Sequence, residues 1–187
     1  MRRNGMDNPH RMDRPQVVAR VVTTLCLVLL PAGCAGPRKY QPPVDPQTLD
    51  GTLFVHYLAS VPAVTVEEAA RAVLILADGE DAAESPDSRV AELERRGWIR
   101  PAWRLRPDHT LDRATLGYLL FRACKLPDSV NTIILGSWGA GDRRYAMRQA
   151  VALGLMEHGP EYEPVTGGEF VAALTRADEY LHGGGEE

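Results

Sequence analysis

The sequence predicts an all-α domain of about six helices, set out as three unequal helix-loop-helix modules around a central helical bundle. Three observations carry that prediction. Three segments begin helices in one way, with an apolar residue, an N-cap side chain and a polar residue three positions later. Each start runs into an apolar ladder at helical spacing. The segments upstream of the second and third starts also match each other, and both close on a glycine.

Composition bounds the alternatives. The 187 residues are 44% hydrophobic and 25% charged, which is ordinary globular material and excludes a wholly disordered chain or a polytopic membrane protein. The net charge of −4 is uneven: the first 33 residues carry +3 and the remainder −7. A mildly acidic body argues against general nucleic-acid binding. Cys26, Cys34 and Cys124 build neither a disulfide framework nor a zinc-ligand set.

In chain order, residues 1–33 read as an export signal. Arg2, Arg3, Arg11, Arg14 and Arg20 precede an apolar core, Val21–Leu30. That core is about ten residues, short of the ~20 that span a bilayer, and suits a signal-peptide h-region. Leu29-Leu30-Pro31-Ala32-Gly33-Cys34 then resembles a bacterial lipobox, with Pro31 where Leu is usual. The resemblance implies lipidation of Cys34, and several acyl chains on one cysteine make a stable anchor. Ala35 follows rather than Asp, which favours the outer membrane with the domain facing the periplasm. Residues 34–50, with Pro37, Pro42, Pro43 and Pro46, read as an extended, semi-rigid tether, and 184–187 as a disordered tail.

The helical domain spans 51–183. Its first module, about 51–77, has Leu53, Phe54, Tyr57 and Leu58 at helical spacing and then the start Val64-Thr65-Val66-Glu67-Glu68-Ala69. The second, 86–124, runs from a helix over Val90–Ile99 closed by Gly97, through Arg104–Asp108, to Leu111-Asp112-Arg113-Ala114-Thr115-Leu116. The third, 143–181, runs from Met147–Met156 closed by Gly154, through Tyr162-Glu163-Pro164, to Val165-Thr166-Gly167-Gly168-Glu169-Phe170. Thr65, Asp112 and Thr166 are the N-caps, and Thr65–Glu68 and Thr166–Glu169 are capping boxes. The ladders align Ala69, Ala72, Val73 and Leu76 with Leu116, Leu119, Leu120 and Ala123, and with Phe170, Ala173, Leu174 and Ala177. Ala69–Ala77 has Arg71 as its only charge and is expected to be buried nearly all round. Thr132–Leu135 is the one β-compatible run. Gly136–Asp142 is glycine-rich but lacks the Lys-Ser/Thr of a phosphate loop. It leads into the next helix, with Asp142 as N-cap and Arg143, Arg144 and Arg148 exposed.

This plan resembles the S-layer homology (SLH) family, whose modules run helix, Gly-Ile turn, loop with an apolar or aromatic residue before Pro, and a Thr-Arg-Ala-Glu helix start. The likeness is best in the second module and good in the third; the first lacks the Gly turn and the Pro loop. It implies a pseudo-trimer in which the helices after the three starts form the central bundle. It also implies that grooves between the lobes bind cell-wall polysaccharide, and that such modules in double-membrane bacteria tether the outer membrane to the wall. The family's ligand arginine falls at Val66, Arg113 and Gly167, and its glutamate at Glu68, Thr115 and Glu169. Only Arg113 keeps the arginine and no start is complete, so the resemblance leaves at most one groove equipped for an anionic sugar.

The candidate ligand-binding residues are therefore Arg113, Arg106, Trp98, Trp103, Asp112, Glu68 and Glu169. For Glu68 and Glu169, helix capping weighs above ligand contact. Seven arginines lie between 95 and 122 (95, 96, 100, 104, 106, 113 and 122) with only Asp108 and Asp112 opposing them in that stretch. Guanidinium forks suit the carboxylates and phosphates of wall polymers, and the flat faces of Trp98 and Trp103 suit sugar rings. The competing reading is a solvated basic face that pairs with the first module's acids, from Glu67 to Asp87. Those acids do not follow the calcium-loop spacing, so no metal is expected. His56, His109 and His158 sit in no nucleophile or metal pattern, Ser137 lies outside a Gly-x-Ser-x-Gly elbow, and Cys124 reads as an inert core thiol. No cofactor and no catalysis are expected. The sequence thus points to a non-catalytic envelope lipoprotein attached to cell-wall polysaccharide or peptidoglycan, held to the membrane by its anchor. The alternative is a helical protein–protein adaptor with an envelope partner and eroded sugar grooves.

Overall fold

The computed structural model describes residues 38–127 and 142–183. The leader, Cys34, Thr132–Leu135, the glycine-rich segment up to Gly141 and the tail at 184–187 lie outside the described residues. The described residues form six helices in order: α1 Gly51–Ser60, α2 Val66–Asp78, α3 Pro86–Arg95, α4 Arg113–Ala123, α5 Asp142–Ala152 and α6 Gly167–Gly183. Two 3-10 turns, Pro46–Thr48 and Pro101–Trp103, sit in the connections. Among the described residues there is no strand, only single bridges joining Lys39 to His109, Thr65 to Thr110 and Asp112 to Pro164. The all-α class holds. None of the described helices is long and apolar enough to cross a membrane.

Local chemistry sets the helix ends where expected. The Thr65 hydroxyl accepts the Glu68 N–H at 3.2 Å while the Glu68 carboxylate accepts the Thr65 N–H at 2.6 Å. Thr166 and Glu169 repeat the exchange at 3.4 and 3.0 Å. Asp112 accepts the Thr115 N–H at 2.7 Å. Gly97 and Gly154 take φ of 69° and 72°. After each, paired bonds close the helix: Trp98 N–H to the Leu93 carbonyl and Leu155 N–H to the Ala150 carbonyl, at 2.8 and 2.9 Å. The helix read over Val90–Ile99 starts earlier, at Pro86. Ser85 caps it and Pro86 occupies its first turn, where a missing N–H costs nothing.

Packing runs across the modules rather than within them. α2 packs on α3, α4 on α5, and α6 on α1, while α2 also touches α4 and α6. Each module's second helix thus pairs with the next module's first helix, and the last returns to the first. The three apolar residues that precede the N-caps lie together in a closed ring. Leu111 N–H donates to the Val64 carbonyl at 2.8 Å, Val64 to Val165 at 2.9 Å, and Val165 to Leu111 at 2.9 Å. All three residues are buried, so their peptide groups need protein partners, and the ring supplies one to each.

Ten of the twelve ladder residues are buried; Leu76 and Leu174 are partly so. One expectation needs correcting. α2 is not buried all round, because its last turn opens to solvent at Ala77 and Asp78. The fully surrounded helix is α4, where only Arg122 of eleven residues escapes burial. Its neighbour α5 comes very close at Gly117, where an added Cβ would lie 2.4 Å from the Met147 Cα. Cys124 is free and buried beyond the end of α4, and burial pushes its thiol up to about 11.

The tether also departs from expectation. Residues 38–50 lie along the domain instead of extending away from it. Tyr40 N–H donates to the Asp108 carbonyl at 3.1 Å and Thr110 N–H to the Arg38 carbonyl at 2.7 Å. Farther on, the Arg71 guanidinium donates to the carbonyls of Pro46 and Leu49, the latter at 2.8 Å, and stacks 4.3 Å over the Phe54 ring. Behind it, Arg89 is bound to Asp81 at 2.6 Å with both side chains almost fully buried, and Glu67 lies 3.6 Å from the same guanidinium. These charges clamp α2, α3 and the incoming chain together.

Candidate functional site

The start of α4 places Asp112 and Arg113 against the third module's loop and the start of α6. Arg113 N–H donates to the Glu163 carbonyl at 3.2 Å and Ala114 N–H to the Glu161 carbonyl at 2.9 Å. The Arg113 side chain is buried rather than displayed. Its Nη2 pairs with Glu169, and its Nε lies 3.4 Å from Glu163 and has no hydrogen bond. Gly159 packs on the guanidinium so closely that an added Cβ would come within 2.8 Å of it. The expectation of an arginine free to take an anionic sugar is corrected: two carboxylates from the third module already enclose it. An anion reaches Arg113 only by displacing Glu163, the half-exposed partner, since Glu169 is also held by Thr166.

Glu169 therefore does two jobs. Burial alone would raise its carboxyl, but hydrogen bonds from the Thr166 N–H and hydroxyl and from Arg113 hold it below the ordinary value. A depressed folded value means that this group's stabilisation is complete above its unfolded value near 4.5 and is lost as pH falls through the lower folded one. Glu169→Gln should flatten the decline of stability on acidification below about pH 4.5, read from urea midpoints between pH 3 and 6. Parallel pH curves for parent and variant would show that the pair does not form in solution.

The other candidates separate. Glu68 is wholly buried and serves as a cap, with the Tyr57 hydroxyl and both Thr65 groups donating to it. Asp112 caps α4 with one oxygen and meets Arg143 Nη1 at 3.3 Å with the other. That Arg143 was expected to be exposed. It is half-buried, donates to the Thr115 hydroxyl at 3.1 Å and stacks 4.8 Å over the Trp103 ring, which meets Tyr118 edge-on at 5.0 Å. Trp98 lies elsewhere, under Arg96 at 5.2 Å. Arg106 is exposed on a different face, 3.6 Å from Asp108. Arg113, Glu169, Asp112 and Trp103 thus share one junction between the second and third modules; Glu68, Trp98 and Arg106 do not join it.

The basic run is far less naked than its local sequence suggests. Arg95 pairs with Glu92, Arg96 with Glu92 and Asp78, Arg100 with Asp142, and Arg122 lies over Tyr118. The Arg96–Asp78 pair is the expected contact with the first module's acids. Asp142 is the first residue of α5, not a residue before it, and its carboxylate is buried. Glu161, Tyr162 and Glu163 are not among the candidates the sequence singles out; Tyr162 and Glu163 read there only as part of the third loop. Glu161 holds Arg144 at 2.5 Å, and Tyr162 between the two carboxylates is 73% exposed, the most of any large apolar side chain among the described residues. The signal was present as an aromatic flanked by acids in a Pro-terminated loop. Comparison of this chain with protein-family models, curated proteins and solved structures finds no match.

Proposed function

We propose that this protein is a non-catalytic, lipid-anchored component of the bacterial cell envelope. On this reading it uses an SLH-like, three-lobed domain to attach to cell-wall polysaccharide or peptidoglycan. The observation that carries the reading is the closed ring of Val64, Leu111 and Val165, together with the cyclic exchange of helices between modules. A pseudo-threefold of degenerate SLH modules needs equivalent helix starts meeting at one axis, and this arrangement supports it. The ligand surface that fits best is the junction of the second and third modules. There the exposed Tyr162 offers a ring face, and carboxylates and arginines offer hydrogen bonds to hydroxyls. With Arg113 already neutralised, this surface suits a glycan through stacking and hydroxyl contacts more than a polyanion through charge.

Two measurements test the proposal. The mature chain should co-sediment with isolated sacculi, and Tyr162→Ala should weaken that binding without loss of helical signal. Cys34→Ser should move the protein from the membrane to a soluble fraction. A parent that ignores sacculi would sink the attachment reading, and a Cys34→Ser protein that stays with membranes would sink the anchor.

The adaptor reading is favoured by a different observation. An apolar groove of about 550 Å³ lies between α1, α2 and α6, lined by Val55, Leu76 and Leu174 among others. Val55 is 49% exposed there. Loss of sacculus binding together with capture of a defined envelope protein would select this reading.

A further inference from the structure

A second cleft, on the side where the chain enters the domain, has no counterpart in the module plan. It measures about 530 Å³ and lies where residues 39–42 cross the first turns of α2 and α3. Its walls differ in charge. Lys39 and Arg106, with the Asp108 carboxylate between them, come from the entering segment and the loop before α4, whereas Glu67 and Asp87 come from the first turns of α2 and α3. Lys39 is already bound to Asp108 at 2.9 Å. Arg106 and Asp87 retain capacity. The Arg106 side chain is 68% exposed, with Asp108 as a loose partner at 3.6 Å. Asp87 is exposed and has no hydrogen bond or ion pair among the described residues. Glu67 is already committed, its buried Oε1 lying 3.6 Å from the Arg89 guanidinium. Tyr40 and Gln41 line the space as well, adding a ring face and an amide.

Walls of opposite sign discriminate. A polyanion entering the cleft meets Asp87, and a simple cation meets Arg106. A molecule with both an ammonium and a carboxylate satisfies both walls, and charge-assisted hydrogen bonds are the strong ones. We propose that this cleft binds a short zwitterionic peptide, with its ammonium toward Asp87 and its carboxylate toward Arg106. Resting on the attachment reading, the ligand is the peptide stem of peptidoglycan, which carries free amines and carboxylates, rather than the glycan strand.

The test is a calorimetric titration of the full mature chain with a soluble disaccharide–tetrapeptide. Free tetrapeptide and the stemless disaccharide serve as competitors. Arg106→Gln and Asp87→Asn change exposed side chains, so folding should persist, as checked by helical signal and unfolding midpoint. Each should weaken binding by about tenfold or more, the loss of one charge-assisted hydrogen bond. The tetrapeptide should compete and the stemless disaccharide should not. Unchanged affinity in both variants, competition by the disaccharide alone, or no binding of the disaccharide–tetrapeptide by a parent that sediments with sacculi would each overturn the stem assignment and leave attachment standing. A parent that binds neither probe nor sacculi would overturn the attachment reading itself.

Discussion

Gly167→Ala should destabilise the domain by about 3 kcal/mol, the upper end of the range for overpacking a filled site. Gly167 is the first residue of α6 and lies against the end of α1. A Cβ there would fall 1.7 Å from the Leu58 carbonyl oxygen and 2.9 Å from both its carbon and Val61 Cγ2. Two of those three atoms are backbone, and the Gly167 N–H is itself bonded to the Val61 carbonyl at 3.0 Å. Neither helix can withdraw without breaking the pairing of α1 with α6. The neighbouring Gly168 is the control, because its added Cβ meets nothing within 4 Å. Gly168→Ala should be neutral or stabilise by up to about 1 kcal/mol through helix propensity. Urea midpoints of the two variants should therefore move apart; a common shift would show that the start of α6 is placed wrongly. The consequence reaches function. Gly167 stands where the SLH resemblance places a ligand arginine, and no side chain fits there. Backbone fills that position, so Gly167→Arg should destabilise the domain rather than add a ligand contact.

Much of the fold was legible because its determinants are local. Thr65, Asp112 and Thr166 are short polar side chains that satisfy helix-end N–H groups, and Gly97 and Gly154 tolerate the left-handed turn that other residues resist. Those effects act within a few residues, so a single sequence displays them. The ladders at Leu116–Ala123 and Phe170–Ala177 gave the buried faces by periodicity. What periodicity does not encode is which face meets which. The exchange of helices between modules, and the ring through Val64, Leu111 and Val165, use backbone groups that every residue type shares.

The candidate site was less legible for the same reason. Arg113 and Glu169 were both singled out, but they are 56 positions apart and their pairing follows from tertiary packing. Arg143 reads as a surface arginine on a short helix; only the arrival of Trp103 from another module turns it into a packed one. The clamp on the tether was invisible because Arg71 binds the carbonyls of Pro46 and Leu49, and a carbonyl acceptor leaves no mark on composition. Proline content foretold a stiff segment there, not a surface for it to lie on.

Leu120→Ala should cost about 2–5 kcal/mol, the range for truncating a buried leucine. Leu120 has no exposed surface, and α4 around it is buried on nearly every side, with α5 against one face and α2 against another. The cost of such a truncation depends on how far the surroundings collapse into the space. Collapse is restricted here, because α4 and α5 already touch through Gly117 and Met147 and the ring at the head of the bundle fixes where α4 begins. The expected value therefore lies in the upper half of that range. Leu53→Ala supplies the contrast: Leu53 is 55% exposed on α1, and its truncation should change stability by no more than about 0.5 kcal/mol. Equilibrium urea unfolding of both variants checks the pair. A small shift for Leu120→Ala would mean that α4 is not the enclosed helix of the bundle. The alignment of the three ladders would then fall with it, and so would the support that the Val64–Leu111–Val165 ring lends to the proposed wall attachment.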